Sequence, residues 1–111
     1  MIFNQENLSS LVGNDDAIGR RYCETFMDQV REVLPEIAQM AQAEQLSDAY
    51  QRAHYLKTSA KAVGAEEMVE HLVQFEDLCK QEKLDSCIEL VGKINQAFVA
   101  FNQAVRRTYA G

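Results

Sequence analysis

Tryptophan is absent, proline occurs once and glycine five times in 111 residues. So few turn formers exclude a sandwich or barrel of many short strands, each of which needs a tight reversal. They favour long helices. Positive charge is also scarce: 11 Lys and Arg stand against 17 Asp and Glu, a formal charge of −6. That balance argues against nucleic acid and against anionic membranes as partners. No apolar run approaches the roughly 18 residues of a membrane-spanning helix. The start, MIFNQENLSS, has neither the basic region nor the apolar stretch of a secretory signal. A cytoplasmic protein is expected. The cysteines, Cys23, Cys79 and Cys87, are odd in number and widely spaced, so they form neither a disulfide framework nor a zinc site. All three fall on or beside apolar helical positions and read as small buried hydrophobes in a reducing compartment. There is no Gly-rich phosphate loop and no metal-ligand cluster, so neither ATP nor a metal is expected to bind.

What the chain does have is amphipathic periodicity. Its length suits one domain over residues 1–111, and 47% hydrophobic residues suffice for one core. Asn4 to Val12 reads as a short helix with Leu8, Leu11 and Val12 apolar, closed by Gly13 as a left-handed cap. Asn14 offers the next N-cap, with Asp15 and Asp16 where the helix dipole favours negative charge. Cys23, Phe26, Val30, Val33, Ile37 and Met40 follow at alternating spacings of three and four, which marks one helical stripe. Pro35 lies inside that stripe and predicts a kink or a restart. A third helix, capped near Ser47, carries Ala49, Ala53, Leu56, Ala60 and Val63 and ends at Gly64. A fourth carries Ala65, Met68, Leu72, Phe75 and Cys79. A fifth, after KQEKLDS, carries Cys87, Val91, Ile94, Phe98, Phe101 and Val105. Long stripes joined by short links predict an all-α fold. The expected arrangement is an up-down-up-down antiparallel four-helix bundle with the short N-terminal helix packed on one end.

The third helix contains AHYLKTSAKAVGA, residues 53–65. Helical geometry turns His54 about 100° from Ala53, just off the core stripe. Tyr50 and Gln51 lie one turn back, Lys57 and Thr58 one turn on, and Lys61 two turns on. His54 is therefore expected to face solvent beside Lys57 and Lys61, in a small positive patch. Helical position alone makes such a histidine an ordinary surface residue. His71, which precedes Leu72 on the fourth helix without any surrounding pattern, reads that way.

Taken together, the residues of this stretch resemble the motif of histidine phosphotransfer (HPt) domains, in which AHxLKGS…GA surrounds a phosphorylated histidine. The matches are Ala53, His54, Leu56, Lys57, Ser59, Gly64 and Ala65. Glu76 stands 22 residues after the histidine, where the family usually has Gln or Glu. The resemblance implies a phosphocarrier rather than an enzyme. His54 would accept a phosphoryl group from a receiver-domain aspartate and pass it to another receiver. Glu76, on the neighbouring helix, would fix the imidazole tautomer, and Lys57 would offset the phosphoryl charge. Tyr50, Thr58 and Lys61 would face the partner. The chain would need no cofactor of its own, since the receiver supplies the aspartate, Mg²⁺ and the catalytic groups. The implied partners are response-regulator receiver domains and a hybrid sensor histidine kinase, with the chain itself a monomer.

Thr58 departs from the family pattern, in which glycine usually follows the lysine and keeps the approach to the imidazole open. A branched side chain there bears on partner choice. It also sustains a second reading, a helical module that binds a receiver or another signalling protein without carrying phosphate. A third, a domain of a larger chemotaxis-type kinase, is disfavoured by Met1 and the lack of a linker. Gly64 is expected only to terminate its helix, and Ser59 and Ala60 to permit close helix packing.

Overall fold

A computed structural model of the chain describes residues 1–110. Among these residues lie five α-helices and no strand: α1 (Gln5–Val12), α2 (Asp16–Gln42), α3 (Leu46–Ala62), α4 (Glu66–Lys80) and α5 (Leu84–Thr108). The four long helices form a ring of neighbours. Both α2 and α4 pack against α3 and α5, while α1 rests on α2 and α3. The molecule measures 43 × 21 × 21 Å. Its length is that of α2, whose 27 residues rise about 1.5 Å each.

The apolar stripes form the core, with one systematic shift. Every stripe residue expected on α3 and α4 is buried. On the two longest helices the strict three-four alternation slips out of phase. Val33 and Met40 of α2 are only half-buried, and Leu34 and Ala41 take their places inside. On α5, Leu90 and Ala97 are buried while Val91 is half-buried. A straight helix has 3.6 residues per turn, so it drifts about 20° per heptad from a 3.5-residue pattern. Short helices do not accumulate the drift. At the centre, Phe101 meets Phe26 edge-on at 5.5 Å and Phe3 edge-on at 5.3 Å. Burying a ring of this size contributes about 1.5–3 kcal/mol. Phe98 sits at the rim, 8% exposed, with the Arg31 guanidinium 5.7 Å above its ring.

The helix boundaries correct two expectations and remove one of the two alternatives at Pro35. Asp15, not Asn14, caps α2, its carboxylate accepting from the amides of Ala17 and Ile18 at 2.9 and 3.3 Å. An ionised cap adds charge complementarity to the hydrogen bonds. α3 starts at Leu46 behind Gln45 and has no side-chain cap, so Ser47 lies inside the helix. α2 continues through Pro35 without a restart. Pro35 is exposed, where water can serve the carbonyl that loses its helical donor.

The three links between the long helices share one closure. The amides of Gln45, Ala65 and Lys83 each donate to the carbonyl five residues earlier, at 2.8, 2.9 and 3.1 Å. This is the Schellman pattern, and it puts the preceding residue in the left-handed region. Those residues are Glu44 at φ 60°, Gly64 at φ 77° and Glu82 at φ 56°. Two are exposed glutamates, so the turn alone does not require glycine. Gly64 differs because the N-terminal segment crosses it. The Asn4 amide donates to the Gly64 carbonyl at 2.7 Å, and a Cβ at position 64 would collide with the Asn4 carbonyl oxygen. Gly64 is thus more than the helix terminator expected from the sequence. It is the seat of the N-terminal segment, which is also tied by Asn4 to Glu66 at 2.7 Å and by Asn7 to the Lys61 carbonyl at 2.8 Å. No helix among the described residues is long and apolar enough to cross a membrane.

Candidate functional site

The burial of Ala53, Leu56 and Ala60 turns the next side chains of α3 to the edge it shares with α4. His54 lies there, its side chain 56% exposed. Glu76 faces it from α4. Placed one residue after the buried Phe75, Glu76 is itself drawn into the helix interface and is only 6% exposed. It is the single buried charged residue among those described.

The Glu76 carboxylate divides its two oxygens between two residues of α3. Oε2 lies 3.3 Å from His54 Nδ1, and Oε1 lies 2.8 Å from Lys57 Nζ. Oε1 has no well-aligned hydrogen-bond donor, so its contact with Lys57 is an ion pair governed by charge. Burial by itself would hinder ionisation of Glu76. The Lys57 ammonium and the His54 ring outweigh it and hold the carboxyl below its ordinary value of 4.5. At neutral pH the group is ionised and can only accept. His54 Nδ1 must therefore donate, and in the neutral form of the ring that leaves the lone pair on Nε2.

Lys57 is 15% exposed and its charge is matched by Glu76. The positive patch expected from Lys57 and Lys61 is therefore reduced to Lys61, which is exposed. No hydrogen bond or ion pair among the described residues joins the Lys61 side chain to His54. Thr58 is exposed, and its hydroxyl donates back to the His54 carbonyl at 3.3 Å. That bond folds the side chain onto its own helix. Tyr50 lays its ring beside the imidazole, centroids 6.1 Å apart and planes within 14° of parallel. His71 is not the plain surface residue expected: it is half-buried, and its Nδ1 is buried without a hydrogen-bond partner.

A family model described as Hpt domain matches residues 21–107. The chain belongs to the Hpt domain family. Such domains are helical phosphocarriers of phosphorelays rather than catalysts, and they work with receiver or other phosphorelay partners. No curated protein and no solved structure matches the chain. Among the described residues no group of three or more His, Cys, Asp or Glu is gathered to hold a metal.

Sequence reasoning missed Lys80. Its Nζ stands 5.2 Å from the centroid of the Tyr50 ring. The available signal was spacing, since Lys80 lies one turn beyond Glu76 on α4 as Tyr50 lies one turn before His54 on α3.

Proposed function

We propose that this Hpt protein is a phosphorelay intermediate that carries its phosphoryl group on His54. The observation that carries the reading is the contact of His54 Nδ1 with the ionised Glu76 at 3.3 Å. A carrier needs an accessible nucleophile held in one tautomer. The half-exposed ring offers Nε2 to a partner while Nδ1 keeps its proton.

The transfer follows from that arrangement. The Nε2 lone pair attacks the phosphorus of an aspartyl phosphate on a receiver. The N–P bond forms, the P–O bond to the aspartate breaks, and the aspartate leaves as a carboxylate. The ring gains positive charge in the process, and the Glu76 carboxylate beside Nδ1 offsets it. Lys57 keeps Glu76 ionised, so its contribution to the transfer runs through that carboxylate. Transfer to a second receiver is the same step reversed. The receiver contributes the aspartate, Mg²⁺ and the catalytic groups, so this chain needs no cofactor.

Tyr50, Thr58 and Lys61 border His54 and form the proposed partner-facing surface. A response-regulator receiver and a hybrid sensor histidine kinase are the proposed partners of a cytoplasmic monomer. We read residues 1–111 as one domain and the ring of long helices as an up-down-up-down antiparallel bundle. The three-residue links, which leave room only for adjacent helices to reverse, support that topology.

Mixing the protein with a phosphorylated receiver tests the proposal. Acid-labile, base-stable label is expected on the wild type and none on His54→Gln. No uptake from any cognate receiver, or uptake by His54→Gln, would overturn it.

A further inference from the structure

Glu76 is not the only residue that restrains His54. Near-parallel aromatic rings attract when offset with centroids up to about 7 Å apart, and the Tyr50–His54 pair lies at 6.1 Å. Alone, a pair at this (i, i+4) spacing on an open helix face would contribute only about 0.2–0.5 kcal/mol, less than thermal energy. Tyr50 is not on an open face. It is half-buried and packs against the core. The Lys80 ammonium, 5.2 Å from the ring centroid, is within the roughly 6 Å reach of a cation–π contact. Two rungs therefore join α3 to α4. One runs from His54 to Glu76 and the other from Tyr50 to Lys80, and a single helical turn separates them on both helices.

We propose that Tyr50, held in place by Lys80, is a second positioning residue for the His54 imidazole; this rests on reading His54 as the phosphoacceptor. Glu76 holds the ring at one atom. That contact leaves the imidazole free to rock about Nδ1, because the second side-chain torsion of histidine has a broad well. Tyr50 removes the freedom by lying along one face. With Nδ1 tied and one face backed, Nε2 points in one direction. Direction matters to an attacking lone pair: a displacement of about 1 Å can cost about a hundredfold in rate. Tyr50 acts by its flat ring and Lys80 acts through Tyr50. Neither is required to touch the phosphoryl group.

A small chemical donor separates ring positioning from partner docking. With phosphoramidate, Nε2 attacks phosphorus, the N–P bond to the ring forms, the P–N bond to the donor breaks, and ammonia leaves. Tyr50→Ala should take up label about tenfold more slowly than wild type. Tyr50→Leu, which keeps apolar bulk but lacks a flat face, should match it, and Tyr50→Phe should restore most of the rate. Lys80→Met should slow uptake in the wild type and add nothing in Tyr50→Ala. The ¹⁵N spectrum of the unphosphorylated ring gives an independent readout. It should show the Nδ1–H tautomer set by Glu76 in both proteins, with the relaxation of a fixed ring in the wild type and of a rocking ring in Tyr50→Ala, and thermal melts confirming that each variant folds. Wild-type rate and spectrum in Tyr50→Ala would overturn the proposal. So would Tyr50→Phe as slow as Tyr50→Ala, or equal slowing by Lys80→Met in both backgrounds. If the wild type and His54→Gln label alike, the phosphoacceptor reading fails, and the ring spectrum still decides whether Tyr50 positions the imidazole.

Discussion

His54 Nδ1 and Glu76 Oε2 lie 3.3 Å apart across the α3–α4 edge, one side chain more than half exposed and the other 7% exposed. The exposed partner is the proposed phosphoacceptor, and the buried partner is held by packing. Removing the carboxylate without unfolding the protein should therefore expose the role of that contact. Glu76→Ala is expected to slow phosphoryl uptake by at least about tenfold with an unchanged helical circular dichroism spectrum. Unchanged transfer kinetics would remove the tautomer argument.

The same carboxylate should leave a mark on stability as pH changes. Its carboxyl is held below 4.5 in the folded protein. A group with a depressed folded value stabilises the fold above its unfolded value, and that stability is lost as pH falls through the folded value. Glu76→Gln also leaves Lys57 without its counter-charge. Urea titration at neutral pH should show a loss of about 1–3 kcal/mol. The difference from wild type should shrink below pH of about 4. A difference that does not change with pH would contradict the coupling.

Gly64 and Glu44 occupy the same left-handed turn position in different surroundings. At Gly64 an added Cβ meets the Asn4 backbone, which has no flexible end to swing away. Gly64→Ala should cost about 2–4 kcal/mol. It should also release the Asn4 amide, measurable as faster hydrogen exchange there. Glu44→Ala and Glu82→Ala, at exposed turns, should each stay within about 0.5 kcal/mol. A cost of only about 1 kcal/mol at Gly64, the strain of a left-handed alanine by itself, would mean that φ alone, not the crossing segment, selects glycine.

The two phenylalanines of α5 should separate cleanly. Phe101 is fully buried between Phe3 and Phe26, whereas Phe98 lies at the rim beneath Arg31. Phe101→Ala should destabilise by about 3–5 kcal/mol, and Phe98→Ala by less, because the rim can collapse or admit water. The reverse order in chemical denaturation would show that the packing of α5 has been misplaced.

The cysteines should be silent in the folded protein. Burial pushes the thiols of Cys23 and Cys79 up to about 12 and raises that of Cys87. Since the thiolate is the reactive form, a disulfide reagent at pH 8 should react at least about a hundredfold more slowly than in urea. All three thiols should titrate once the chain unfolds. A cysteine that reacts natively within minutes would show that its helix opens.

The sequence by itself determined the helical elements and their buried faces. A stripe at helical spacing must be covered, and where the helix is short, as in α3 and α4, the pattern and the helix stay in phase. It also placed His54 off the stripe of Ala53, Leu56 and Ala60, and the resemblance to the family motif, not helical position, singled it out. The spacing to Glu76 came from the family resemblance, since 22 residues along the chain say nothing about distance across two helices. Tertiary structure alone decided the rest. The depth of Glu76, the pairing of Lys57 with it, the crossing of Asn4 over Gly64 and the facing of Lys80 with Tyr50 all depend on how separate elements register against one another. Periodicity records which side of a helix is buried, but only packing sets which residue of the next helix it meets.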